Sequence, residues 1–190
     1  MSDRPRTQLG ISPGAVESVN QQLAAAGLAD RQIALIHPAA AFETKRWATE
    51  NFARVAEFVA ERGLAPVAIG APHESQLIDD LLDEASVKIL SLELSLPEVT
   101  ALAARSKLFI GNDSGIAHIA AAVGTPSVVV FGSSNIAHWR PWNRAKAEVV
   151  FEQMPCQPCH GYFCEKFSQP ECILRVPVER VAAAIEKCLN

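Results

Sequence analysis

The chain has no basic excess. Its 190 residues carry 17 Lys and Arg against 21 Asp and Glu, a net charge of −4 at pH 7. Binding nucleic acid through its backbone requires a basic face that neutralises phosphates, so no nucleic-acid partner is expected. Long apolar runs are missing too. The most apolar region, Ile116 to Phe131, is broken by His118, Gly124, Thr125, Pro126 and Ser127. It falls short of the ~18 uninterrupted apolar residues that suggest a membrane span. The first ten residues, MSDRPRTQLG, hold no apolar stretch of signal-peptide type. A cytoplasmic location is the expectation. There is no Walker A motif and no GxGxxG after the first strand, so the common nucleotide fingerprints are absent. Internal repeats and low-complexity tracts are absent as well.

What is present is core-forming material. Apolar residues make up 49% and charged residues 20%, too apolar for intrinsic disorder. Short apolar runs predict buried strands at Ile33–His37, Pro66–Gly70, Val87–Leu90, Lys107–Gly111, Ser127–Phe131 and Glu148–Phe151. Helical spacing lies between them. Phe52, Val55, Ala56, Val59 and Ala60 share one face of a helix that Gly63 is placed to end. Leu77, Ile78, Leu81 and Leu82 mark a second helix. Ser95-Leu96-Pro97-Glu98 has the form of a capping box and opens a third, with Val99, Leu102 and Ala103 inward. A fourth begins near Ser114 and turns Ile116, Ile119 and Ala120 inward; a last one follows Pro177 with Val178, Val181, Ala182 and Ile185.

Strand–helix alternation with near-continuous apolar strands predicts an α/β fold: a doubly wound parallel sheet, Rossmann-like, in three αβα layers. Residues 1–30, with one weak helix over 13–26, read as a lead-in or interdomain linker. Residues 31–190 read as the domain, with a Cys- and Pro-rich insertion at 152–176.

In such sheets ligands bind beyond the carboxyl ends of the strands. Three strand ends carry polar residues: His37 to Trp47, Gly111 to His118, and Phe131 to Asn135. Gly111-Asn112-Asp113-Ser114-Gly115 runs from a strand straight into a helix, whose free N–H groups and positive dipole end suit a phosphate. Gly115 permits close approach, and His118 shares the face of Ser114. Asp113 beside a phosphate is repulsive, so it suits sugar hydroxyls or a cation, and Lys45 is the nearest candidate for that charge. The same pentapeptide also reads as an ordinary helix cap, with His118 a half-buried packing residue. Lys45 and Glu74 read equally as solvated surface charges, and Arg46-Trp47 as a packing pair that fixes the loop.

Several motifs occur in order: His37-Pro38, Lys45-Arg46-Trp47, Gly70-Ala71-Pro72-His73-Glu74, Ser95-Leu96-Pro97-Glu98, and Asn112-Asp113-Ser114-Gly115 with His118 and Ala120-Ala121. Together they resemble the carboxy-terminal half of the family 9 glycosyltransferases, the ADP-heptose:lipopolysaccharide heptosyltransferases. The resemblance covers about residues 31–190. It implies one half of a GT-B enzyme, holding an ADP-sugar donor for inverting transfer of heptose to the lipopolysaccharide inner core without an essential metal. Lys45 resembles the lysine on the diphosphate, and Asp113, Ser114, Gly115 and His118 the loop and helix start that grip phosphate and heptose. Glu74 resembles the acid on the adenosine ribose, and Leu94 the apolar residue near the adenine. Lys45 and Asp113 would carry the catalytic roles. Ala39-Ala40-Ala41-Phe42 departs from relatives that place hydroxyl residues there, which leaves backbone N–H groups to replace those contacts. The resemblance also implies an amino-terminal domain with the acceptor site and a general base, neither of which is assignable here. The chain then reads as a carboxy-terminal fragment, peripheral at the inner face of the cytoplasmic membrane.

Cys156, Cys159, Cys164 and Cys172 lie within seventeen residues, with His160 among them. Thiolates so spaced suit a structural zinc ion or iron–sulfur cluster; free thiols, or a disulfide formed after purification, are the alternatives. Cys188 reads as core. Lys45-Arg46 and Arg140–Lys146 form local basic patches, with Trp139 and Trp142 beside the second. Two competing functions stay open: a stand-alone, non-catalytic nucleotide or nucleotide-sugar binding module, and a metal- or redox-sensing domain built on the cysteines.

Overall fold

The computed structural model describes residues 9–142, 146–159 and 161–190. Strands and helices alternate: α1 (Pro13–Ala25), β1 (Ile33–His37), α2 (Thr49–Glu61), β2 (Ala65–Ile69), α3 (Ser75–Glu84), β3 (Leu90–Leu92) and α4 (Leu96–Arg105). They continue with β4 (Leu108–Asn112), α5 (Gly115–Ala122), β5 (Ser127–Phe131), α6 (Ile136–Trp139), β6 (Ala147–Phe151), α7 (Glu171–Leu174) and α8 (Val178–Leu189). The strands form one parallel sheet in the order β3-β2-β1-β4-β5-β6. This is the doubly wound Rossmann-like fold that the pattern predicts.

Successive strand side chains point to opposite faces, and here both faces are buried. Ala34, Ile36, Leu108, Ile110, Val128 and Val130 enter one core with α2, α3 and α8. Ile33, Leu35, Val67, Phe109, Val129 and Phe131 enter the other, with α1, α4 and α5. That double burial is why the strands read as continuous apolar runs rather than as alternation.

Five apolar runs form strands within one residue of the predicted bounds. The exception is Val87–Leu90, where the strand is Leu90–Leu92. Ile89 is buried and Val87 packs against the core beneath α3, but sheet pairing begins only at Leu90 opposite Val67. Apolar character reports burial, and an edge strand's paired length is set by its single neighbour. The fourth helix also differs in its inner face. Ala117, Ala120, Ala121 and Ala122 are buried in α5, while Ile116 and Ile119 are only half-buried. Small residues let α5 lie close to the sheet and to α4.

Local signals hold where chemistry is specific. Gly63 adopts φ +80°, and the N–H groups of Gly63 and Leu64 close α2 on the carbonyls of Ala60 and Val59. Glu98 accepts from the Ser95 N–H (2.9 Å) and also from Ser18 Oγ (2.7 Å), which joins α4 to α1. Helix α1, inside the stretch read as a lead-in, buries Ala15, Val19 and Leu23 against α4. We propose that it is part of the domain's core. Leu23→Ala should then cost about 2–5 kcal/mol in urea unfolding, as for other buried leucines. A cost below about 0.5 kcal/mol would mark α1 as a detachable arm.

Candidate nucleotide-sugar site

The sheet order reverses at β1, whose neighbours β2 and β4 lie on opposite sides. The crevice outside the carboxyl ends of β1 and β4 is where such folds place ligands. A cleft of about 510 Å³ opens there. Its walls include all seven residues predicted to bind substrate: Lys45, Glu74, Leu94, Asp113, Ser114, Gly115 and His118. His37, Ala40, Ala41, Ile69, Leu96, Ile116 and Trp139 also line it.

Lys45 reaches the cleft because its loop is tied down on both sides. The Arg46 Nε–H donates to the Ala40 carbonyl at 2.7 Å. Asn112, fully buried at the end of β4, accepts from the Trp47 N–H (3.1 Å) and donates to the Pro38 carbonyl (2.6 Å). Trp47 is itself buried; its indole N–H donates to the Val176 carbonyl at 2.9 Å and its ring meets Phe52 edge-on. It has the packing role. On the far side Thr44 Oγ1 lies 2.9 Å from Ser133 Oγ, and the Thr44 carbonyl accepts from the Ser133 N–H. A Cβ on Gly132 would collide with the Thr44 carbonyl oxygen, so only glycine allows this approach.

Lys45 Nζ lies 2.8 Å from Asp113 Oδ2, which also accepts from Ser134 Oγ at 2.5 Å. Asp113 is buried and Lys45 only partly exposed. Neither Asp113 nor Ser114 caps α5. The Asp113 carboxylate is turned to Lys45 and Ser134, and the Ser114 side chain makes no cap bond, so the first N–H groups of α5 stay open. Gly115 is exposed, with nothing within 4 Å of a Cβ built on it. The free helix start, the open glycine and the lysine face the same space.

Glu74 stands on the 3-10 turn after β2. Its Oε2 accepts from the Ala71 N–H at 2.8 Å and lies 3.6 Å from His37 Nε2. Its pKa falls from 4.5 to about 2, chiefly through His37, with the Ala71 bond and His73 assisting and burial opposing. It is therefore a carboxylate at neutral pH, able only to accept. Leu94, Leu96, Val99, Ile69 and Ile116 form an apolar wall beside it.

His37, Asn112, Ser134 and Trp139 had been given no role at the site from sequence. His37, Asn112 and Ser134 sit at or just beyond a strand's carboxyl end, and His37 and Asn112 also fall within the motifs that carry the family resemblance; Trp139 ends α6. Residues 143–145, within the basic stretch Arg140–Lys146, lie outside the described residues, as does His160.

A model of glycosyltransferase family 9 (heptosyltransferase) matches residues 3–167. The chain belongs to this family. It is 29% identical over 191 residues to lipopolysaccharide heptosyltransferase 3 of Escherichia coli K12, covering 96% of this chain and 54% of that protein. Among solved structures, E. coli ADP-heptose LPS heptosyltransferase II superimposes with a TM-score of 0.81 at 22% identity, over 99% of this chain and 55% of that one. An iron-containing dodecameric glycosyltransferase of enterotoxigenic E. coli shares the fold at a TM-score of 0.64 and 18% identity, over 83% and 46%. This family 9 chain thus spans about half the length of the curated relatives it matches. Membership favours the enzyme half over the stand-alone module. No helix among the described residues is long and apolar enough to cross a membrane.

The expected metal ligands do not converge. Among the described residues no three His, Cys, Asp or Glu side chains stand close enough to hold an ion, and all five cysteines are free. The thiols of Cys159, Cys156 and Cys164 lie near enough to raise Cys172, but no three of the four form a group that could hold an ion. The segment that carries them is bonded to the end of β5. The Cys159 N–H donates to the Ser133 carbonyl, Gln157 Nε2 donates to the Gly132 carbonyl, and Cys172 is buried in α7. Burial, then the neighbouring thiols, push Cys172 up to about 11. Burial raises Cys188 as well.

Three outcomes follow from these environments. Glu74→Gln should destabilise the chain at pH 7 by on the order of 1 kcal/mol after solvent screening. Because the folded-state value is depressed, the wild-type advantage is full above pH 4.5 and is lost as pH falls towards 2. Urea melts across that range check it. With a disulfide reagent at neutral pH, Cys156, Cys159 and Cys164 should react fast and Cys188 slowly. Cys172 should trail a free thiol by about 100-fold or more from its thiolate fraction alone. Elemental analysis of the same sample should find no stoichiometric zinc or iron.

Proposed function

We propose that this chain is the donor-binding half of an inverting glycosyltransferase that transfers heptose from ADP-heptose to the inner core of lipopolysaccharide. The observation that carries it is one cleft at the switch point that gathers Lys45, Asp113, the open start of α5 and Glu74 in a family 9 chain. Each group suits one part of an ADP-sugar. The ionised Glu74 accepts from the vicinal hydroxyls of the ribose. The apolar wall around Leu94 takes the adenine. Lys45 and the N–H groups at Ser114 and Gly115 take the diphosphate, and Asp113 with His118 takes the sugar.

The chemistry follows from charge. As ADP leaves the anomeric carbon, negative charge grows on the diphosphate and positive charge on the sugar. Preorganised donors aimed at that growing charge are worth several kcal/mol of barrier each. Lys45, already oriented by Asp113, and the first turn of α5 supply them. Asp113 is placed to stabilise the electron-poor sugar as well as to orient it. The resemblance assigns acceptor binding and deprotonation of the acceptor hydroxyl to the other half of a GT-B pair. The lipopolysaccharide acceptor is membrane-borne, so this function operates at the inner face of the cytoplasmic membrane. No step of the proposal runs through a metal.

Calorimetric titration with ADP, UDP and GDP tests the reading. ADP should bind weakly but selectively, Lys45→Ala should weaken it by about tenfold or more, and the chain alone should transfer little or no heptose. Equal binding of all three nucleotides, or none, would overturn it.

A further inference from the structure

We propose that His37 is the positioning residue of this cleft: one imidazole sets the Glu74 carboxylate with Nε2 and the Ser114 hydroxyl with Nδ1, coupling recognition of a ribose diol to recognition of a phosphate. The inference rests on the donor-site reading above and extends it to a residue for which the resemblance names no role.

The geometry is specific. His37 Nε2 lies 3.6 Å from Glu74 Oε2 and His37 Nδ1 lies 3.3 Å from Ser114 Oγ. His37 is the buried histidine among those described, and it closes β1 opposite Gly111 of β4. A Cβ on Gly111 would come within 2.8 Å of the His37 carbonyl oxygen, so the ends of β1 and β4 are held close. Burying an imidazole is unfavourable unless its nitrogens find partners. Here both partners are side chains of the cleft. The ring therefore serves the site and not the sheet.

The tautomer follows from those partners. An ionised carboxylate only accepts, so Nε2 carries a hydrogen towards Glu74. Nδ1 then either accepts from the Ser114 hydroxyl or, in the imidazolium, donates to it; both arrangements keep Oγ beside the ring at the start of α5. Glu74 stands on the turn after β2 and Ser114 on the turn after β4, with β1 between them. Among the described residues no hydrogen bond or ion pair joins Glu74 to Ser114 directly, and His37 contacts both. With it, displacing either side chain moves the ring and so the other.

The test separates the two arms. Asn at position 37 carries its amide near the position of Nδ1, and Gln reaches the position of Nε2. His37→Asn should keep contact with Ser114 and lose Glu74; His37→Gln should do the reverse. Each folded variant is titrated with ADP, 2′-deoxy-ADP and adenosine. In His37→Asn the preference for ADP over 2′-deoxy-ADP should fall by about fivefold or more, with the ADP-over-adenosine ratio held within about twofold. In His37→Gln the ADP-over-adenosine ratio should fall and the 2′-hydroxyl preference persist. A merely structural histidine would weaken all three ligands alike and leave both ratios unchanged, which would overturn the inference. Should the variants fail to fold, Glu74→Gln in the His37 protein carries the test. Coupling through the ring should lower its ADP-over-adenosine ratio by about threefold or more, and no change would overturn the inference. Failure of the unaltered chain to bind ADP would overturn the donor-site reading, and this inference with it.

Discussion

The pairing of β1 with β4 places everything that matters at the cleft. These strands are distant in sequence, yet His37 lies opposite Gly111 and the two chains leave the sheet side by side. From that point Asn112 ties the loop after β1 to the end of β4 through Pro38 and Trp47. A buried amide with both ends engaged defines the loop's path, because leaving either end unpaired is costly. Lys45 then meets Asp113, and the cleft has its cation. If β1 slipped by one residue against β4, the His37 side chain would turn to the opposite face of the sheet while Asn112 stayed in place, and the site would be lost.

The cleft holds two carboxylates in contrasting surroundings. Asp113 faces Lys45 and Ser134, so its charge is matched locally. Glu74 is held ionised by His37 and the Ala71 N–H. One is thus paired with a cation that an incoming diphosphate can share, and the other is left as a pure acceptor. The open start of α5 lies on the Asp113 side, and the apolar wall on the Glu74 side. On the proposed donor-site reading, the diphosphate, the ribose diol and the adenine of an ADP-sugar would meet these groups in that order.

The Cys-bearing segment acts from behind. Thr44 Oγ1 donates to the Gly161 carbonyl, and the Phe42 ring lies against Tyr162, with Lys45 Nζ 5.2 Å from the Phe42 centroid. Together with the bonds from Cys159 and Gln157 to the end of β5, these contacts make the segment a backing for the lysine loop. These contacts are main-chain bonds and ring packing, and among the described residues no three of its thiols form a group that could hold an ion.

Much was legible in the sequence by itself. Strand runs, helix faces and turn glycines are local, and the strand–helix alternation leaves few folds that bury both sides of a parallel sheet. Of the residues lining the cleft, Lys45, Asp113, Ser114, Gly115 and His118 lie on polar strand ends that stand out against apolar strands, whereas Glu74 and Leu94 were pointed to only by the family resemblance. Other features depended on tertiary structure. The edge strand's true extent depends on its pairing with β2. The alanine face of α5 depends on how close α4 and the sheet lie. The positions of His37 and Ser134 beside their partners, and the failure of four closely spaced cysteines to converge, depend on distances between segments remote in the chain. Spacing along a chain constrains such distances only within a helix or a strand; across loops and between strands, packing and hydrogen bonding decide them.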